Sequence, residues 1–587
     1  MDKVRDGGKA MKVSERLAAL RRAMAEAGLD AYLVPTADSH GSEYVAPYDQ
    51  ARAYLSGFTG SAGTLLVLPH EALLWTDSRY FLQAGRELEG SGITLMREGA
   101  EGVPDLADYI RQNLAGKGMG MDGRCVTLRQ AAAYGAGTSV VDIDLVSPVW
   151  PDRPPREAAP AFVLDTALTG QSAAEKLAAL RLHMEERKAR AALVTDLMDG
   201  AWLFNLRGGD IPHTPVARFF AVVEAEACFV FIAPQTAEPV AAYLAELGAH
   251  ILPYEDILPF LGRYGEGDHV LVSPPSVSMA LAMALKERGA ALLDSDYLAM
   301  ARCVKNETEL AHIREAHAKD GAVMVRFLRY IKAHADKLDE YGAAAHLDGL
   351  RLEAGCLDTS FATICGYGPN AAIVHYRPAQ ASARQLQKKG LLLVDSGGQW
   401  PGATTDVTRT IALGSLTSDE KAHFTLTLRC MLALLVARFP QGVDGAKLDV
   451  LARAPMWEAG LNYGHGTGHG VGAMLSVHEP PVRIRYDYPS VPMQKGMISS
   501  DEPGLYVTGS HGVRLEILIE CVEMENGMLG FAPLTLVPID LEAVEKRLME
   551  PVDIARLNAY HALVKEALLP LLEGDDKTFL IQATRPL

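Results

Sequence analysis

Cysteine is sparse and unpatterned in this chain. Seven occur among 587 residues, at 125, 228, 303, 356, 365, 430 and 521, and none forms a CxxC pair. An odd, scattered set argues against a disulfide framework and fits free thiols in a reducing compartment. Positive charge is also short. Fifty-six Lys and Arg face 73 Asp and Glu, for a net charge of −17. A general nucleic-acid binder needs a basic face, so that class is set aside. No stretch approaches the ~20 apolar residues that cross a bilayer. The opening MDKVRDGGKAMKV carries basic residues but no apolar run behind them, unlike a secretory signal. We therefore expect a cytoplasmic protein with no nucleic-acid or membrane partner.

What is present is ordinary globular composition, 49% hydrophobic and 22% charged. The length suggests about three to four domains at ~150 residues each. An internal repeat supplies the plan. ERLAALR at 15–21 returns as EKLAALR at 175–181, and Met24 with Met184, and Leu33-Val34 with Leu193-Val194, keep the offset of 160. Leu17, Leu20 and Met24 recur at helical spacing, with Ser14 as N-cap, Gly28 as stop, and an AYLV strand next. The repeat predicts two copies of one α/β domain. Between them SPVWPDRPPREAAP (147–160) holds five prolines, which neither continue helices nor donate to ladders, and marks a linker. Near 305 a long amphipathic helix opens, with Leu310, Ile313, His317, Met324, Phe327 and Ile331 on one face. Leu557, Tyr560, Val564, Leu568 and Leu571 form a late helical stripe that packs on the domain surface. The expected domains are 1–150, 151–304 and 305–587.

The last domain carries the chemistry. DSGGQWPGATTDVTRT (395–410), HGTGHGVG (465–472), DEPGLY (501–506) and VRLE (513–516) supply Asp395, Asp406, His469, Glu502 and Glu516. Four carboxylates brought together repel, and some must stay protonated unless cations sit among them. Two divalent ions would offset four charges, and imidazole is a common transition-metal ligand. Asp395 ends the apolar run LLLVD, read as a buried strand. Asp406 follows 11 positions later, beyond the Pro401-Gly402 turn, so both aspartates can lie on neighbouring strands. In VRLE, Arg514 and Glu516 would share one face of a strand. Oxygen donors with one imidazole favour manganese, with cobalt, iron or zinc also compatible. Two ions roughly 3.5–4 Å apart would share a bridging water and lower its pKa towards neutrality. The chain reads as a two-metal hydrolase.

These motifs resemble the pita-bread metallopeptidases, and within them the three-domain, cytosolic-type Xaa-Pro aminopeptidase (aminopeptidase P) family. The likeness spans nearly the whole chain: SEYVAPYDQARAYLSGFTGSAGT (42–64), LWTDSRYFLQA (74–84), AWLFNLRGGDIPHTPV (201–216), TSFATICGYGPNAAIVHY (359–376), the metal motifs, and LNAYHALVKEALLPLL (557–572). The resemblance implies two creatinase-like α/β domains followed by a pita-bread α+β domain, and a homodimer. It also implies a hydroxide bridging two divalent metals that cleaves the bond between an N-terminal residue and proline. Carried over by position, Asp395 would chelate one metal, Asp406 and Glu516 would bridge, and His469 and Glu502 would complete the other shell. Glu502 would also move the proton to the leaving nitrogen. His375 would shuttle protons or bind substrate, and His478 would hydrogen-bond the scissile carbonyl. His465, Tyr506 and Arg514 would line the site, although Tyr506 equally suits a structural hydrogen bond. Ala362 stands where the family usually has proline, and Cys365 where a small residue such as serine is common. Both departures bear on the substrate pocket rather than on catalysis. Asp77 and Arg79 are expected to form a local ion pair without chemistry. A prolidase cutting Xaa-Pro dipeptides, or a metal-free pita-bread binding module, are the competing readings.

Overall fold

The computed structural model describes residues 11–587. Chain contacts gather it into two units. One comprises the described residues up to Ala159, Arg181–Gly200 and Arg218–Ser295; the other Pro160–Leu180, Ala201–Ala217 and Asp296–Leu587.

The first unit contains two six-stranded sheets of the same topology. In each, a central strand (Ala31–Pro35 or Ala191–Val194) pairs antiparallel on one side and parallel on the other. The strand order outward from it is also the same. The 160-residue offset thus marks a repeated α/β layout. The helix before each copy spans Val13–Glu26 and Ala173–Glu186. Leu17, Leu20 and Met24 are buried as the spacing predicts, but the N-cap is Lys12, not Ser14. Glu15 closes a capping box back onto the Lys12 N–H, which leaves Ser14 inside the first turn. Gly28 adopts φ +68° just after the helix, where a β-carbon would be strained. Asp77 and Arg79 form the expected local pair, at 2.7 Å.

In the second unit the long helix runs Glu307–His334, capped by Asn306 and Glu309, and its whole predicted apolar face is buried. Pro551–Leu568 forms the late helix. Leu557, Tyr560, Val564 and Leu568 are buried, but Leu571 lies in a separate 3₁₀ turn and is 42% exposed. The helix stops before Pro570, so that position leaves the stripe.

Two sheets of this unit frame the candidate site. Three strands, Ile364–Tyr367, Leu391–Ser396 and Val407–Ala412, form one antiparallel sheet. Six strands, among them Gly468–Gly470, Glu479–Ile484, Ile498–Asp501 and Ile517–Glu523, form the other. The Gly504–Val507 and His511–Arg514 hairpin adjoins them in sequence. Ser418–Leu435 puts Phe424, Leu428 and Leu432 into one core with Ile517 and Ile519.

Candidate active site

Each candidate group stands where a ladder ends or breaks. Asp395 closes the ladder with Ile364 in the three-stranded sheet, and Asp406 immediately precedes the strand Val407–Ala412. His469 sits at a register shift between His469 and Gly470, the kind of irregularity that re-aims a side chain. Glu502 and Glu516 face one another across a gap. Asp501 pairs with Ile517 and Gly504 with Arg514; between them the Leu515 N–H reaches the Pro503 carbonyl at 3.4 Å, while the Glu502 N–H turns to the Thr467 carbonyl at 2.8 Å. Pro503 has no N–H to donate there. Arg514 and Glu516 therefore do not share one continuous strand, contrary to the alternation read in VRLE. The chain changes partners at Leu515, and the Glu516 N–H donates to the Thr408 carbonyl at 3.1 Å.

The acidic groups converge. Ligand atoms of Asp406, His469 and Glu516 all lie within 4.8 Å of one another. His469 Nε2 lies 3.6 Å from Asp406 Oδ2 and 3.5 Å from Glu502 Oε1. Asp395 joins through Arg514, whose Nη2 donates to Asp395 Oδ2 at 2.5 Å. Burial, reinforced by Glu516, Asp395 and Glu502, pushes the Asp406 carboxyl well up. Burial and then Asp395 and Glu502 do the same to Glu516. Glu502 is lifted to about 7 by burial, partly offset by Arg514. For Arg514 itself burial lowers the pKa, but Tyr506, Asp395 and Glu502 more than reverse it.

The donors fit a pair of divalent cations. Asp395 Oδ1, Asp406 Oδ1 and Glu516 Oε1 are buried without hydrogen-bond partners. Such oxygens are costly unless something positive satisfies them. His469 Nδ1 lies 2.9 Å from the Gly470 carbonyl. A carbonyl only accepts, so Nδ1 holds a proton, and Nε2, on the side of the carboxylates, is the nitrogen that could take a cation.

The flanking groups form a relay. Arg514 Nη1 donates to the Tyr506 hydroxyl at 2.8 Å, which reaches His465 Nε2 at 2.8 Å, while His465 Nδ1 meets the Gly466 carbonyl. Tyr506 thus has both partners in the site, and burial raises it to about 12. His478 lies edge-to-face on His469 with ring centroids 4.3 Å apart. His375 adjoins Val374, whose carbonyl accepts from Arg514 Nη2 at 3.2 Å.

Two supporting residues escaped the sequence reading. Thr408 Oγ1 donates to Glu516 Oε2 at 2.8 Å. Ser500 Oγ accepts from the His469 N–H at 3.0 Å and donates to Glu502 Oε1 at 3.3 Å. Each lies two residues from a candidate ligand, Asp406 or Glu502, a spacing that would have singled them out.

Comparison with known proteins agrees with this arrangement. The profile of metallopeptidase family M24 matches residues 311–523, and that of its C-terminal region 527–587. Two creatinase/prolidase N-terminal domain profiles match 16–149 and 152–309. A probable Xaa-Pro aminopeptidase P of Neurospora crassa is 37% identical over 98% of this chain and 89% of its own. The chain belongs to metallopeptidase family M24. Aminopeptidase P2 of Arabidopsis thaliana is 36% identical over the same shares. The X-prolyl aminopeptidase structure from Caenorhabditis elegans, described as a cytosolic enzyme with a di-nuclear active site, is 33% identical. It superposes with a TM-score of 0.94 over 98% of this chain and all of that one. The M24 chain therefore has two creatinase-type α/β domains ahead of a pita-bread domain.

Proposed function

We propose that this chain is a metal-dependent Xaa-Pro aminopeptidase, releasing an N-terminal residue from the proline that follows it. The observation that carries the reading is the cluster of buried carboxylates with orphaned oxygens gathered around His469. Likeness over the full length of relatives bearing that activity in their names supports it.

Asp395 would hold one cation, Asp406 and Glu516 both, and His469 and Glu502 the other. When bound, the cations supply Lewis acidity and hydroxide at neutral pH. The hard donor set suits manganese, and zinc or cobalt also fits it. Glu502 would take a proton and pass it to the leaving proline nitrogen. His478 donates to the scissile carbonyl as charge develops on its oxygen. His375 binds substrate or carries a proton, and His465, Tyr506 and Arg514 wall the site. An Xaa-Pro amide has no N–H, so peptidases that need that hydrogen bond fail on it. The acidic cluster also favours the substrate's free ammonium. The three-domain division at 150 and 304, a cytoplasmic location and a homodimer belong to the same reading. Buried free thiols and, among the described residues, no helix long and apolar enough to cross a membrane are consistent with it.

The test is a panel of Xaa-Pro and Xaa-Pro-Xaa peptides with added manganese. Cleavage of the longer peptides, lost on chelation and restored by metal, is expected. Strong preference for dipeptides would favour a prolidase, and activity indifferent to chelators would discard the metallopeptidase reading.

A further inference from the structure

Arg207 lies in the short strand Leu206–Arg207, far ahead in sequence of every candidate ligand, and is 2% exposed. All its hydrogen bonds end on backbone carbonyls. Nε donates to Met474 at 2.7 Å and Nη2 to Ala473 at 3.0 Å, while Nη1 reaches Ala201 and Leu206, both at 2.9 Å. Burial pushes this guanidinium down to about 10. A cation so desolvated is expensive to keep unless its placement matters.

The Ala473 and Met474 carbonyls belong to the segment 471–478, which joins the strand bearing His469 to the strand opening at Glu479. Met474 there adopts φ +54°, a left-handed conformation rare for its residue type. From the other side Leu475 is pinned by Thr404 Oγ1 at 3.1 Å and by Gln399 Nε2 at 2.8 Å. Beyond His478, the Glu479 carboxylate is fixed by Arg302 at 2.7 Å and by Lys305. His478 hangs between these anchors, its ring against His469.

We propose that Arg207 is a positioning residue: by holding the Ala473 and Met474 carbonyls it sets the loop that aims His478 at the scissile carbonyl. The proposal rests on the aminopeptidase reading for the role of His478. It gives a segment outside the M24 profile, within the second N-terminal profile, a part in the reaction.

Arg207→Lys keeps the charge but loses the planar fork that spans two carbonyls. For an Xaa-Pro-Xaa substrate it is expected to lower kcat about 10- to 100-fold. KM, metal affinity and melting temperature should stay near wild type. In a His478→Ala background the same substitution should cost no further kcat, because the group it positions is gone. Losses that simply multiply in the double variant, or a fall in metal affinity equal to that in kcat, overturn the proposal. Should Arg207→Lys not fold, Thr404→Val loosens the same loop without touching the buried cation and is judged by the same cycle. The ring NMR signals of His478, assigned with His478→Ala, give a readout independent of turnover. They should shift in Arg207→Lys while those of His375 do not, and unchanged His478 signals refute the placement. If the wild-type protein cleaves no Xaa-Pro peptide, the functional reading fails, and the NMR comparison still decides whether Arg207 sets the ring.

Discussion

Asp406 shows what a single residue contributes and costs. Its carboxyl is driven well up by burial and by Glu516, Asp395 and Glu502. Without cations, folding therefore works against the ionised form of this carboxyl. Asp406→Asn is expected to lower Xaa-Pro-Xaa cleavage by about 10³-fold or more, equivalent to ~4 kcal/mol. The chelated variant should nevertheless be more stable than chelated wild type, by on the order of 1 kcal/mol. Calorimetry in chelator checks the second half, and a variant less stable than the parent would mean that Asp406 bears structural load. Glu502 gives a pH signature. Its pKa rises from the ordinary 4.5 to about 7. A carboxyl raised on folding contributes stability that is complete below about pH 4.5 and lost as pH climbs through 7. Comparing chelated wild type with Glu502→Gln, the stability difference should move in favour of the variant between pH 5 and 8. Melting curves across that range test it, and a flat difference counts against the shift.

At the scale of elements, the site depends on strands approaching closer than side chains permit. Gly468 sits where a β-carbon would land on the Ser500 carbonyl oxygen. Gly468→Ala should force apart Gly468–Gly470 and Ile498–Asp501, costing about 1–3 kcal/mol. Because His469 rides on the first of these strands, metal affinity should fall about 10- to 100-fold, although Gly468 offers no ligand. Gly349, in the helix Glu340–Glu353, has open space around its position. Gly349→Ala should instead stabilise by about 0.5–1 kcal/mol with affinity unchanged. Denaturant melts and metal titrations on the pair separate crowding from mere loss of glycine. The long helix was legible because its 3.6-residue apolar stripe is a local signal. The break at Glu516 was not, because it arises when the chain leaves Arg514's hairpin partner for Ile517's, a choice made by distant strands.

For the whole molecule, metal binding and folding are linked. Ligands that bind the native state stabilise it by about 2.7 kcal/mol at a hundredfold excess over Kd. Here the gain should be larger at pH 8 than at pH 6, because protons on Glu502 compete with the cations below about 7. Scanning calorimetry with and without manganese at the two pH values tests this. An equal increment at both would show that protons and metal do not share the carboxylates. Full-length agreement with an X-prolyl aminopeptidase places this prediction on a protein whose N-terminal repeat is part of the shared architecture.

The linear order of residues determined the inventory. The duplicated helix and strand at an offset of 160, the apolar run ending on Asp395, and the glycine-flanked His469 are local patterns, and local patterns survive reading one residue at a time. Which atoms meet was decided only by the tertiary structure. The Leu515 N–H on the Pro503 carbonyl, Thr408 on the Glu516 carboxylate, and Arg207 on the Met474 carbonyl each join residues 12 to 267 positions apart. Such contacts exist because burial leaves polar groups no water to bond, so each must find its partner wherever the fold brings one within reach.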